Sequence, residues 1–196
     1  MHFLGCGAAG SFNTSRVTSS HRVPNHPTSA VFRVMLGAVP ALALLLAACA
    51  SPPPPKSQPS KLLQRVMPSF SSTSLNGTAI DTAGFDTPVV VKFFATDCQA
   101  CERTLPAAQS LYSKKPNVVV IGVSEGSGEA ETRQLVSKYK LRFPVVIDSD
   151  NSIARRFETK KFPMTFVADK QGRIRWVGGA DLTEEALVSA VESVDE

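Results

Sequence analysis

The chain has 196 residues, 43% of them hydrophobic, which suits one ordinary domain with extensions. Its 21 basic and 17 acidic residues give a net charge of +4, but Arg16, Arg22, Arg33 and Lys56 fall before residue 61, where no acid stands, so residues 61–196 balance at 17 against 17. A neutral domain without a basic stripe argues against nucleic acid as a partner. The histidines, His2, His21 and His26, all lie in the first thirty residues. The remainder therefore offers no Cys-His nucleophile, no histidine general base and no histidine-containing metal site.

Residues 1–30 are rich in Ser, Thr, Asn, Gly and His without apolar periodicity, and read either as unstructured leader or as sequence upstream of a start at Val31 or Met35. Met35 to Ala48 is almost wholly apolar and follows Arg33. That length suits a signal-peptide core better than a bilayer span of roughly 20 residues. The run closes on Leu46-Ala47-Ala48-Cys49, which resembles the bacterial lipoprotein lipobox, in which the cysteine is acylated and becomes the mature N-terminus. The resemblance makes Cys49 a membrane anchor; an ordinary secretory signal or an uncleaved anchor is the alternative. Ser51 to Ser60, with its run of prolines, favours extended polyproline II and reads as a spacer. The expected division is thus leader and signal peptide over 1–48, lipidated N-terminus and linker over 49–65, and a folded domain over 66–196.

Within that domain, strands and helices alternate, the pattern of an α/β fold. Asn76-Gly77 is a turn signal between two short strands in 70–80. Val89 to Phe94 has the length and β-branched, aromatic composition of a buried strand, and Ala107, Ala108, Leu111 and Tyr112 recur at helical spacing after it. A strand over 117–124, a helix over 128–140, a strand over 144–147 and a short helix over 152–157 follow. Met164 to Ala168 and Ile174 to Val177 form a hairpin around Lys170-Gln171-Gly172, and Asp181 is positioned to cap a last helix carrying Leu187, Ala190, Val191 and Val194.

The chemistry concentrates in Cys98-Gln99-Ala100-Cys101, at the junction of the buried strand and the helix. A cysteine at a helix N-terminus meets unpaired N–H groups and the positive end of the dipole, which favour its thiolate. A thiol one turn later can resolve the mixed disulfide that this thiolate forms. The competing readings are a pair of inert buried cysteines and half of a zinc knuckle. Four ligands are needed for the latter, and the remaining cysteines, Cys6 and Cys49, lie in the leader region.

The run Val89-Val-Val-Lys-Phe-Phe-Ala-Thr-Asp-Cys-Gln-Ala-Cys, Pro106 five residues on, and Phe162-Pro163-Met164-Thr165-Phe166 before Asp169-Lys-Gln-Gly172 resemble the thioredoxin superfamily, in its TlpA/ResA-like branch of exported thiol-disulfide oxidoreductases. The resemblance spans most of residues 66–194. It implies a thioredoxin-like fold, a central mixed β-sheet flanked by helices, with an N-terminal hairpin and an inserted βα unit that begins its strand at Pro144. It also implies that Cys98 is the nucleophile, that Cys101 resolves, and that Pro163 is a cis proline facing them, with Phe162 bordering the site and the backbone there pairing with the substrate chain. No metal or organic cofactor is implied; the redox group is the Cys98–Cys101 dithiol/disulfide couple. The implied partners are protein thiols and disulfides, apocytochrome c among them, a membrane electron donor, and the membrane itself through the lipid anchor.

Three departures bear on tuning. Asp97 stands where the branch often carries tryptophan, so a carboxylate beside Cys98 opposes the helix-end effect. Lys92 stands where thioredoxin has a buried acid; it can supply a proton or favour a thiolate, but a strand lysine that snorkels to solvent is the expectation. Gln99-Ala100 is neither the Gly-Pro of a reducing thioredoxin nor the Pro-His of a strong oxidant, and Glu102 either tunes Cys101 or is a surface acid favoured in a first turn. The alternatives in function are a peroxiredoxin-like thiol peroxidase, which would carry a threonine where this chain has Ala95, and a copper-binding chaperone resembling the Sco proteins, which would need a histidine.

Overall fold

The computed structural model describes residues 55–126 and 128–195. Cys49, the signal-peptide core and the first prolines of the spacer lie outside the described residues.

Strands β1 (Ser71–Thr73) and β2 (Ala79–Asp81) form the expected small hairpin. Gly77 closes its turn at φ +83, the left-handed region that glycine enters without a steric penalty. After a short 3-10 turn come β3 (Val89–Phe94), α1 (Gln99–Lys114), β4 (Val119–Glu125), α2 (Glu129–Lys138), β5 (Val145–Asp148), α3 (Ser152–Arg156), β6 (Met164–Ala168), β7 (Ile174–Gly178) and α4 (Glu184–Glu192). The main sheet has the order β5-β4-β3-β6-β7, with β3, β4 and β5 parallel and β6 and β7 antiparallel to their neighbours. The α/β expectation and the mixed sheet are present, and the strand expected from Pro144 is β5, starting at Val145 and followed by α3.

β3 is the central strand, and all six of its residues are buried. Alternation sends Val90 and Phe94 into one core with Leu105, Leu111 and Leu187, and Val89, Val91 and Phe93 into the other with Ile121, Phe157 and Phe166. On the second face Phe157 is the hub, its ring centroid 4.9 Å from Phe93, 5.2 Å from Phe166 and 6.2 Å from Phe70.

Two expectations are corrected. The cap of α4 is Thr183, whose hydroxyl accepts from the Ala186 N–H at 3.2 Å; the helix starts at Glu184, two residues too late for Asp181, which instead accepts from Gln58 Nε2. The last residues expected to be free spacer lie along β7, because that edge strand presents unpaired backbone groups. Gln58 N–H donates to the Val177 carbonyl at 2.7 Å, Ser57 Oγ accepts from the Val177 N–H at 3.0 Å, and Trp176 Nε1 donates to the Pro55 carbonyl at 2.9 Å. Farther along, Gln64 and Arg65 exchange backbone bonds with Ile174 in antiparallel sense.

Candidate active site

The loop leaving β3 delivers Cys98 to the N-cap of α1, where its Sγ accepts from the Cys101 N–H at 3.1 Å. Cys98 and Cys101 are joined as a disulfide with Cα atoms 5.1 Å apart. Cys98 is partly exposed, whereas Cys101 is 0% exposed and belongs to the core beneath α1. The outer sulfur is thus the one a partner can approach, and the helix N-terminus stabilises negative charge on it.

Register brings the second half of the site alongside. Phe93 pairs with Met164 and Lys92 with Thr165, so the peptide preceding β6 lies beside the end of β3 that leads to Cys98. The Phe162–Pro163 bond is cis, as the resemblance implied. Phe162 and Cys98 both pack against the same core. A groove of about 620 Å³ is lined by Phe162, Pro163 and Met164 together with Gly178, Gly179 and Gln58. Phe162 also lines a second cleft of about 610 Å³, with Asp97, Glu125 and Glu131 at its walls. Burial, then the Asp148 charge, pushes the Glu125 carboxyl above the ordinary carboxylate range.

Lys92 overturns the snorkelling expectation: its side chain is 0% exposed. A lysine midway along the central strand, flanked by β4 and β6 and roofed by α1, keeps its side chain out of solvent. Its Nζ instead donates to Thr104 Oγ1 at 2.7 Å and to Thr165 Oγ1 at 3.2 Å. Burial lowers its pKa to about 7. Thr104 and Thr165 were missed in the sequence; the signal was their spacing, three residues after Cys101 on a helix and two after Pro163 on a strand.

This predicts a pH dependence of stability with a definite sign. Between pH 7 and about 10.4, the model-peptide value for lysine, the unfolded chain holds a proton on Lys92 that the folded chain has released. Wild-type stability therefore rises with pH relative to Lys92→Met, by up to about 1.4 kcal/mol per pH unit. Chemical denaturation of both proteins at several pH values checks this; a constant difference contradicts it.

The other candidates stay at the rim. Gln99 and Asp97 are exposed and Ala100 partly so. The Glu102 carboxylate accepts from Lys138 Nζ at 2.6 Å and from the Tyr139 hydroxyl, contacts that hold its carboxyl below the usual range and tie α1 to the end of α2. Its bonds thus run away from the dithiol, in keeping with a surface role.

A five-stranded mixed sheet with a Cys-x-x-Cys disulfide at the start of α1 and a cis proline at the adjoining strand defines a thioredoxin-fold redox protein. The chain belongs to the AhpC/TSA family, whose family model matches residues 63–177. Among curated relatives, it resembles the thiol-disulfide oxidoreductase ResA of Geobacillus kaustophilus, 28% identical over 130 residues that cover 65% of this chain and 75% of that one. ResA of one Bacillus cereus strain is 30% identical over the same shares. These relatives bear out the TlpA/ResA-like resemblance. Solved structures of like fold include a secreted Mycobacterium tuberculosis disulfide oxidoreductase homologous to E. coli DsbE, with TM-score 0.59 and 23% identity, covering 63% of this chain and 95% of that one. StoA from Bacillus subtilis has TM-score 0.58 and 22% identity, covering 64% and 97%.

Proposed function

We propose that the protein is a thiol-disulfide oxidoreductase that acts on protein disulfides in the bacterial cell envelope, on its extracytoplasmic face, held there through acylated Cys49. The observation that carries the reading is the bonded pair itself, with Cys98 reachable at a helix N-terminus and Cys101 enclosed behind it. In the reduced protein, the Cys98 thiolate attacks one sulfur of a client disulfide and the client's other sulfur leaves as a thiolate. Cys101 Sγ then attacks Cys98 Sγ, the second client thiolate leaves, and the Cys98–Cys101 bond is restored. Two electrons pass to the client, and neither a metal nor an organic cofactor enters.

The groove beside Phe162 and Pro163 is suited to an extended client segment, whose backbone would pair at the proline. A membrane electron donor would re-reduce the pair, and apocytochrome c, with its own cysteine pair, is a fitting client. A peroxiredoxin-like thiol peroxidase is the alternative, but Ala95 stands where the peroxidatic pattern has a threonine. The deciding experiment offers the reduced protein a protein disulfide and, separately, hydrogen peroxide. Stoichiometric reduction of the disulfide with slow peroxide consumption is expected; the reverse preference makes it a peroxidase. For the anchor, Cys49→Ser should abolish fatty-acid labelling, and undiminished labelling contradicts acylation there.

A further inference from the structure

Lys92 is the one lysine of the described residues with its whole side chain in the core, and it lies between the two elements that make up the redox site. Its Nζ donates to Thr104 Oγ1 on α1 and Thr165 Oγ1 on β6. Thr104 sits one helical turn beyond Cys101 and donates in turn to the Cys101 carbonyl at 3.0 Å. Thr165 is the second residue after cis Pro163. The amine therefore bridges the resolving cysteine's helix turn to the proline strand.

The surroundings of the amine are polar but uncharged. From α1 it meets Thr104, with Cys101 one turn before it; from β6 it meets Thr165; its register partner on β4 is Gly122, which brings no side chain at all. Gly122 leaves little room either: a Cβ there would come within 3.1 Å of Phe94 and Val145. The lowering of its pKa has burial as its cause, with no neighbouring charge contributing. A buried amine without a carboxylate gains from any anion formed nearby, and the one ionisable side chain buried on α1 is Cys101, one turn before Thr104.

Such an anion is required by the reaction, a requirement that rests on the proposed thiol-disulfide exchange. Cys101 must lose its proton before its sulfur can attack Cys98, yet it is fully enclosed. We propose that Lys92 is a positioning residue for the resolving step: its amine holds the proton that Cys101 releases, and the ammonium so formed stabilises the Cys101 thiolate across the Thr104 turn. The balance closes within the protein. The proton leaves Cys101 Sγ and is held on Lys92 Nζ, the Sγ electron pair forms the bond to Cys98 Sγ, and the client thiolate departs with the pair of the broken bond. Lys92 returns to its amine by losing the proton, which neutralises the departing thiolate.

The test separates the two chemical steps in the reduced protein with a chromogenic aryl disulfide, whose two thiolates are released in succession by Cys98 and then by Cys101. In wild type the second phase keeps its rate down to about pH 7. In Lys92→Met, which keeps the volume and loses the amine, the second phase is about five- to tenfold slower at pH 7, recovers toward wild type near pH 9, and the first phase changes less than twofold. Equal second-phase profiles, or a slowing of both phases by the same factor at every pH, overturn the proposal. Failure of wild type to release the second aryl thiolate would instead overturn the exchange reading. Should Lys92→Met not fold, the wild-type protein labelled at lysine answers by NMR: the Lys92 side chain titrates at higher pH in the reduced than in the oxidised protein, and identical titration in both states overturns the assignment.

Discussion

Cys101→Ser accumulates mixed disulfides with protein clients, and Cys98→Ser accumulates none. The difference comes from access and chemistry together. Cys98 is partly exposed at the N-cap of α1, where its thiolate is favoured, so it makes the first bond. Without Cys101 nothing inside the chain can break that bond, and the client remains attached until an outside thiol frees it. Both variants should lose at least about 10³-fold in turnover, the scale on which a covalent nucleophile or its partner is felt. Non-reducing electrophoresis of each variant, followed by identification of the attached chains, reads the result. Adducts on Cys98→Ser and none on Cys101→Ser would reverse the roles.

Phe157→Ala has the largest expected effect on stability. The ring touches Phe70 from the N-terminal segment, Phe93 from the central strand and Phe166 from β6, with centroid separations of 4.9–6.2 Å. Truncation removes those aromatic contacts and leaves a cavity among residues that are themselves fixed in the sheet, so the site cannot collapse to fill it. A loss of about 3–5 kcal/mol is expected, a large part of what a domain of this size has. Denaturant unfolding measures it. A loss below about 1 kcal/mol would mean that the second core does not depend on this hub.

The parts of the molecule that follow from local pattern were legible in the sequence. Val89 to Phe94 could be read as a buried strand because β-branched and aromatic residues fill it, and Cys98 could be placed at a helix start because apolar residues recur at helical spacing after it. What depends on long-range pairing was not. Lys92 reads as a lysine that escapes to water until β4, β6 and α1 are known to close around it, and Thr104 and Thr165 acquire meaning only from the register that sets Lys92 opposite Thr165. Ser57 and Gln58 look like the tail of a proline-rich spacer, since nothing local announces that β7 is an edge strand in need of partners. Asp181 and Thr183 are both good helix caps, and two residues of helix start decide between them.

The reduction potential of the Cys98–Cys101 couple tests the central claim most directly. Equilibrating the domain in glutathione and dithiothreitol buffers, then counting alkylated thiols, should give one reversible two-electron transition, with a midpoint within the range of about −270 to −120 mV spanned by thioredoxin-fold exchangers. Thiols that never close reversibly into the disulfide, or that are lost to peroxide before they do, would contradict it.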